Sequence, residues 1–539
     1  MTARRRWIVA TVAVAGIAAM GLSIRNGFVY DDVPAITQNP RVTDPALWHT
    51  IPAAPYWLGT LWRPVTIAGF AAQWWLGHGA PWLFHLVSLV MYLAIGALLF
   101  AVMRRLGIGE LAAAGATILF LVHPVHVEVV ANIVGQSELW VAIALLAAAL
   151  IYLDARLRQA TTRAVVGLIA VAIIAMGSKE QGFVLVPLLL GAEWTLALDR
   201  RPGVVARLLV PVTMVSVLLF LFRTSVLLSA TGEVPAAAFG GQGIGGRSLT
   251  FLAILLRYVR LIAWPVHLQA EYGPPGVPIG GPFRVEHLVG IALVLLWIAG
   301  FARAKRSAPV VAFGLLWIAM TLAPISNVLT PTGVVMAERL LFLPSIGLAM
   351  VVGGVLDRLV ATRPADRQTV FRTLVAVLAA WGAGLAVRSA LRVPTWQDEA
   401  DFHAALTVDA PDAYRAWRTA GIYWEGAGKD SLAIADLTHA MKLWPHDPEV
   451  NDRLGQFLRA DGRYAEAIPI LESGLRLDPT GSLLRAKLIE CLMAERRWDD
   501  AERIAREALD RGQGEFASEL VRIRRLRAAA DSSATTGSE

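Results

Sequence analysis

The sequence predicts an all-α protein in two parts: a polytopic membrane bundle of about 11 spans, then a water-soluble α-solenoid of helical repeats. Three observations predict it. Hydrophobic residues make up 56% of the 539-residue chain and charged residues only 17%, where soluble domains run nearer a quarter charged. Long apolar segments separated by basic clusters fill the first 390 residues. From about residue 391 the composition turns charged, and a 34-residue period sets in.

A spanning helix needs about 20 mostly apolar residues. Candidates lie near 7–24, 83–103, 109–122, 138–154, 163–177, 183–198, 204–222, 285–302, 308–323, 340–356 and 370–390. Lys and Arg mark the cytoplasmic side. They cluster at Arg4, Arg5, Arg6; at Arg104, Arg105; at Arg156, Arg158, Arg163; at Arg200, Arg201; at Arg303, Lys305, Arg306; and at Arg358, Arg363, Arg367. Eleven crossings from a cytoplasmic N-terminus put all six clusters on one side and the C-terminal part on the other. The apolar segment 249–266 is left out of the count, because a crossing there would send the 303–306 cluster outside. Its Arg257 and Arg260 share one helical face, and it reads as a re-entrant or interfacial helix. Segment 7–24 reads as a retained span, since its apolar run is long for a cleaved signal peptide and no clear cleavage site follows.

The net charge of +7 does not indicate nucleic-acid binding, because the basic residues sit in the short clusters that set membrane orientation. The single cysteine, Cys491, excludes an intramolecular disulfide framework and any multi-cysteine metal site.

In the C-terminal part Pro411, Pro445 and Pro479 recur every 34 residues, as do Ala433, Ala467 and Ala501, and Ala440, Gly474 and Ala508. Gly421 and Gly455, and Leu437 and Leu471, keep the same spacing. This is the tetratricopeptide signature. Small residues let the two helices of a repeat approach closely, and the proline ends the second helix because it lacks an N–H. The spacing predicts full repeats at about 414–447, 448–481 and 482–515, after a half repeat at 395–411. The organisation is thus 1–390 membrane domain, 391–527 repeat domain, and 528–539 a disordered Ala/Ser/Thr-rich tail. Such repeats either bind peptides or protein partners or serve as an assembly surface.

The loops on the predicted outer side hold nearly all the acids and histidines. The first opens with Tyr30-Asp31-Asp32, where a carboxylate can act as a general base or cap a turn. It continues through Asn39-Pro40 and Trp62-Arg63-Pro64 to Trp74, Trp75 and Trp82, which suit an interfacial helix. Arg63 either holds a phosphate or snorkels. The second reads His123-Pro124-Val125-His126-Val127-Glu128, then Asn132 and Gly135-Gln136-Ser137-Glu138. His123, His126 and Glu128 can ligate a metal, orient a carboxylate or contact substrate phosphate, and their spacing matches no specific metal motif. The third is Ser178-Lys179-Glu180-Gln181-Gly182, whose two ionisable residues face a polar cavity or each other, or are ordinary interfacial charge. The fourth, 224–284, is rich in Gly and Pro and does not have the spacing of a phosphate loop. It suits a substrate lid, and Arg257 and Arg260 beyond it suit a clamp on a lipid-linked phosphate. The fifth carries Ala337-Glu338-Arg339-Leu340-Leu341-Phe342-Leu343-Pro344, where Glu338 and Arg339 form an ion pair or Arg339 meets substrate phosphate.

Taken in order, Tyr30-Asp31-Asp32 with Asn39-Pro40, Trp62-Arg63-Pro64, His123 to Glu128, Ser178 to Gly182 and Ala337 to Pro344 resemble the transmembrane and tetratricopeptide-repeat-containing family. Its members are O-mannosyltransferases of the GT-C superfamily. The resemblance covers nearly the whole chain and implies a GT-C-like membrane domain. It implies a lipid-phosphate-linked sugar donor, chemistry on the outer or lumenal face, and Asp31 or Asp32 as the base. The other loop motifs would bind donor phosphate, sugar or acceptor. The chain departs from eukaryotic members in having about three repeats, which leaves the acceptor open between a protein hydroxyl and a glycan or glycolipid. Its arginine- and alanine-rich composition looks bacterial, which implies a polyprenyl phosphate carrier, an inner-membrane location and periplasmic repeats. A divalent cation stays open, since some GT-C enzymes need one. A non-catalytic scaffold is the contrasting reading, and the set of outer polar motifs argues against it.

Overall fold

The computed structural model describes residues 3–56, 61–158, 161–196, 198, 202–228, 237–361 and 368–536. Arg200, Arg201, Arg363 and Arg367 of the basic clusters lie outside them. Among the described residues there is no strand, only one isolated bridge between Pro275 and Ala413. The expected all-α class is borne out.

All eleven apolar segments are helices: α1 (Ala3–Met20), α3 (Pro81–Arg105), α4 (Glu110–Leu121), α6 (Gln136–Arg158), α7 (Thr162–Ser178), α8 (Leu185–Thr195), α9 (Pro202–Leu227), α11 (Val285–Ser307), α12 (Pro309–Leu322), α13 (Phe342–Ala361) and α14 (Gln368–Arg392). Seven stretches are long and apolar enough to cross a bilayer alone: Arg6–Arg25, Pro81–Arg105, Ile133–Arg156, Pro202–Leu227, Val285–Ser307, Glu338–Ala361 and Val375–Trp396. Four of the expected spans fall short, because α4, α7, α8 and α12 have 12, 17, 11 and 14 residues. At about 1.5 Å per residue even 17 residues give less than the roughly 30 Å hydrocarbon thickness. The α4 helix is continued by Pro124–Ala131, which includes α5 (Val127–Ala131), across a 55° bend, and together they would make an eighth span. Pro124 lacks the N–H that an unbroken helix needs.

Two further helices lie between the spans. The Trp-rich α2 (Pro64–Gly77) is 14 residues long and leaves Trp75 60% exposed, as an interfacial helix would. The segment expected not to cross forms α10 (Ile244–Ala263). It buries Ala253, Ile254, Tyr258 and Leu261, leaves Arg260 exposed, and is not among the bilayer-length apolar helices. The first long loop has its own core, in which Ile36, Val42 and Tyr56 pack on Phe70 and Phe84.

The chain separates into two compact units: residues 1–270 with 278–405, and residues 271–277 with 406–539. Composition changes near 391, whereas packing changes near 405, inside α15 (Glu399–Asp409). The first turn of α15 belongs to the first unit because the Glu399 carboxylate accepts the Tyr30 N–H and Phe402 packs on the Tyr30 ring, centroids 5.2 Å apart.

In the second unit, three helix pairs start at 34-residue intervals: α16 (Tyr414–Gly426) with α17 (Asp430–Leu443), α18 (Pro448–Ala460) with α19 (Tyr464–Leu477), and α20 (Ser482–Ala494) with α21 (Trp498–Asp510). They coincide with the three predicted repeats. The glycine–leucine spacing has a steric cause: a Cβ at Gly455 would lie 2.3 Å from Leu471, and one at Gly421 2.8 Å from Leu437. Segment 271–277 docks on the first pair through Gly276 N–H to the Asp412 carbonyl, 3.0 Å, and an Arg415–Glu271 ion pair, 2.8 Å. The last helix, α22 (Phe516–Thr536), runs through most of the tail expected to be disordered. Its Arg524 and Arg527 pair with Glu502 and Asp499 of α21, and its alanines favour helix. Residues 537–539 lie outside the described residues.

Candidate functional site: a charged belt at the helix ends

Tyr30, which leads into the two aspartates, has a φ of 59°, in the left-handed region that side chains disfavour. Asp32 turns fully inward. Its carboxylate accepts the N–H groups of Val134 at 2.8 Å, Ile133 at 3.3 Å and Val29 at 3.4 Å. Burial pushes its carboxyl up to about 8, against the pull of those three donors. Asp31 is half-buried, and its negative charge acts on Arg339, Tyr56 and Glu399. The two acids thus have different surroundings: Asp32 ties the first loop to the turn at 133–135, and Asp31 faces charged and phenolic groups.

Three of the cations singled out from the sequence, Arg63, Lys179 and Arg339, each meet a carboxylate far along the chain. Arg339 donates to Glu128 twice, from its side chain at 2.5 Å and its backbone N–H at 2.9 Å. Lys179 pairs with Glu138, which also accepts from the Ser137 hydroxyl at 2.7 Å. Arg63 lies against Glu180 at 2.8 Å and over the Tyr56 ring at 5.1 Å. Burial pushes Glu180 up, but the charge and hydrogen bonds of Arg63 outweigh it and hold the carboxyl below its usual range. Burial pushes the Lys179 ammonium down, opposed by Glu138.

The pairs are electrostatically joined. Arg339 feels Asp31 and Glu138 as well as Glu128, and Arg63 feels Glu138 as well as Glu180. Asp31, Arg339, Glu128, Glu138, Lys179, Arg63 and Glu180 therefore form one continuous belt. Glu338 accepts the Gln269 N–H at 2.5 Å, while its neighbour Arg339 pairs with Glu128.

His126 lies wholly inside, between the Tyr92 hydroxyl at 2.8 Å and the Ser345 hydroxyl at 2.9 Å. His123 contacts the Ile262 carbonyl at 3.0 Å, which fastens the end of α10. Their ring nitrogens thus have separate protein partners, and among the described residues no three His, Cys, Asp or Glu side chains gather as metal ligands. Arg257 is half-buried and Arg260 exposed on α10, outside the belt. Sequence reasoning quoted Glu138 within a motif but gave it no role, and passed over Tyr56; neither lies at a telling spacing from its partner.

Beside the belt, α10, α11, α12 and α13 enclose an apolar groove of ≈ 660 Å³. Its walls include Phe251, Tyr258, Trp297, Leu322 and Leu348. Ser345, the hydrogen-bond partner of His126, and Leu341, two residues beyond Arg339, line it too.

The tetratricopeptide repeat family matches residues 458–521. The human protein O-mannosyl-transferase TMTC3 is 24% identical over 90% of this chain and 58% of its own length. The mouse protein of the same name is 25% identical over the same shares, 90% and 58%. The Drosophila melanogaster protein O-mannosyl-transferase Tmtc2 is 35% identical over 24% of this chain and 14% of its own. The sequence relatives of this chain are protein O-mannosyl-transferases. The resemblance read from the loop motifs is borne out, and the chain is a multi-pass membrane protein with tetratricopeptide repeats. It spans 58% of the length of the TMTC3 relatives. A crystal structure of the Archaeoglobus fulgidus oligosaccharyltransferase with Zn and sulfate aligns over 80% of this chain and 53% of that one, at 15% identity and a TM-score of 0.32.

Proposed function

We propose that the chain is an integral-membrane glycosyltransferase. It moves a sugar, a hexose such as mannose, from a polyprenyl-phosphate carrier to a protein hydroxyl on the periplasmic face of a bacterial inner membrane. The observation that carries this reading is the half-buried Asp31, whose charge acts on Arg339 of the charged belt, in a chain whose relatives are named protein O-mannosyl-transferases.

Asp31 is the base. It takes the acceptor's hydroxyl proton as that oxygen attacks the anomeric carbon, and attack opposite the leaving phosphate inverts the centre. Asp32 is the positioning residue, because its carboxylate is closed off by backbone donors. A departing phosphate needs positive charge, and Arg339 is the belt cation on which the charge of Asp31 acts. Lys179 and Arg63 add to the field, and Glu128, Glu138 and Glu180 hold the three in fixed geometry. The isoprenoid chain occupies the apolar groove, whose lining reaches the belt through Leu341 and Ser345, and Arg257 and Arg260 on α10 flank the phosphate. The repeats select the acceptor.

Mass spectrometry of periplasmic proteins and glycolipids from cells with and without this gene tests the reading. Loss of one hexose from a protein hydroxyl is the expected result. A change confined to glycolipids would replace the protein acceptor with a lipid one, and no change in either would contradict the assignment.

A further inference from the structure

The repeat unit contains a cavity of ≈ 330 Å³ between α19, α20 and α21. Arg476, Arg485, Arg503 and Arg511 line it with Glu472 and Glu507, so positive charges exceed negative ones by two. Glu507 is already engaged by Arg503 at 3.0 Å and Arg511 at 3.6 Å.

Arg485 is the unusual member. It is 1% exposed, yet among the described residues no carboxylate lies within ion-pair distance. Its two terminal nitrogens donate to backbone carbonyls, of Pro479 at 2.7 Å and Ile504 at 3.4 Å, and its buried Nε has no hydrogen-bond partner. A buried charge without a counter-charge is costly and is ordinarily paired. Arg476 stands on the exposed rim of the same cavity, again with no ion pair among the described residues. Leu475, Pro479, Leu488 and Ile504 supply apolar wall between the guanidinium groups.

We propose that this cavity is a docking site for an acidic segment of a partner polypeptide. A glutamate or aspartate carboxylate enters against Arg476, within the field of Arg485, and a neighbouring apolar side chain packs on Leu488 and Ile504. The mixed lining favours a peptide, whose acid is carried on an apolar stem, over a free phosphate, which would gain nothing from the leucines. The site lies within the repeat unit and does not depend on the reading of the charged belt's chemistry.

Fluorescence anisotropy on the purified full chain in detergent tests it. The probe is a labelled short peptide alternating glutamate and leucine, compared with its glutamine analogue. The glutamate peptide is expected to bind about tenfold or more tighter than the analogue, and Arg476→Gln and Arg485→Met each to remove most of that preference. Arg476 is on the rim, so its variant decides the matter even if Arg485→Met fails to fold. Equal binding of the two peptides, or an unchanged preference in Arg476→Gln, overturns the proposal. So does binding of inorganic phosphate without peptide binding, which would make the site one for a free oxyanion.

Discussion

In the membrane unit, Lys179 and Arg339 are tied to Glu138 and Glu128, carboxylates no more than 3% exposed. In the repeat unit many pairs, such as Arg506 with Glu502 and Arg503 with Glu507, join positions three or four apart on wet helix surfaces. The first kind links loops up to 211 residues apart; the second decorates helices that packing already holds. Removing one partner of a buried pair strands a charge and costs about 3–5 kcal/mol, whereas an exposed pair contributes about 0–1 kcal/mol.

The contrast can be broken in three places. Glu128→Ala should destabilise the protein by about 3–5 kcal/mol in denaturant unfolding, because Arg339, only 21% exposed at its side chain, loses its partner. A loss below about 1 kcal/mol would place that pair with the surface ones.

Asp32 offers a test by pH. Its folded-state carboxyl is raised to about 8 from 3.8, so its contribution is fully present below the unfolded value and lost as pH rises through the folded one. Between about pH 5 and pH 8 the wild type should lose on the order of 1 kcal/mol per pH unit relative to Asp32→Asn. A gap independent of pH would mean that the three N–H donors keep the carboxylate charged. The smallest effect belongs to Arg506→Ala, expected within about 0.5 kcal/mol of wild type by the same measurement.

The repeat helices were legible to the residue because a 34-residue period is local: each small residue faces a partner within its own repeat, as Gly455 faces Leu471. The apolar segments were legible as helices for the same reason. Their crossing status was less so, since α8 is an 11-residue helix inside a longer apolar stretch. The belt was legible as a list of residues but not as pairs. Arg339 and Glu128 meet through the fold, and no periodicity joins them. The different surroundings of Asp31 and Asp32 rest on contacts far along the chain, such as the Val134 N–H that Asp32 accepts from 102 residues away; composition carries no trace of them.

That difference is the centre of the account, and a transfer assay addresses it directly. Purified Asp31→Asn and Asp32→Asn proteins would be given polyprenyl-phosphate mannose and an acceptor polypeptide, with folding checked by thermal unfolding. Asp31→Asn should lower kcat by about 100-fold or more with its fold intact, as loss of a general base does, while folded Asp32→Asn keeps a substantial rate. Full activity in Asp31→Asn, with loss confined to a folded Asp32→Asn, would contradict the assignment and move the base to the buried residue.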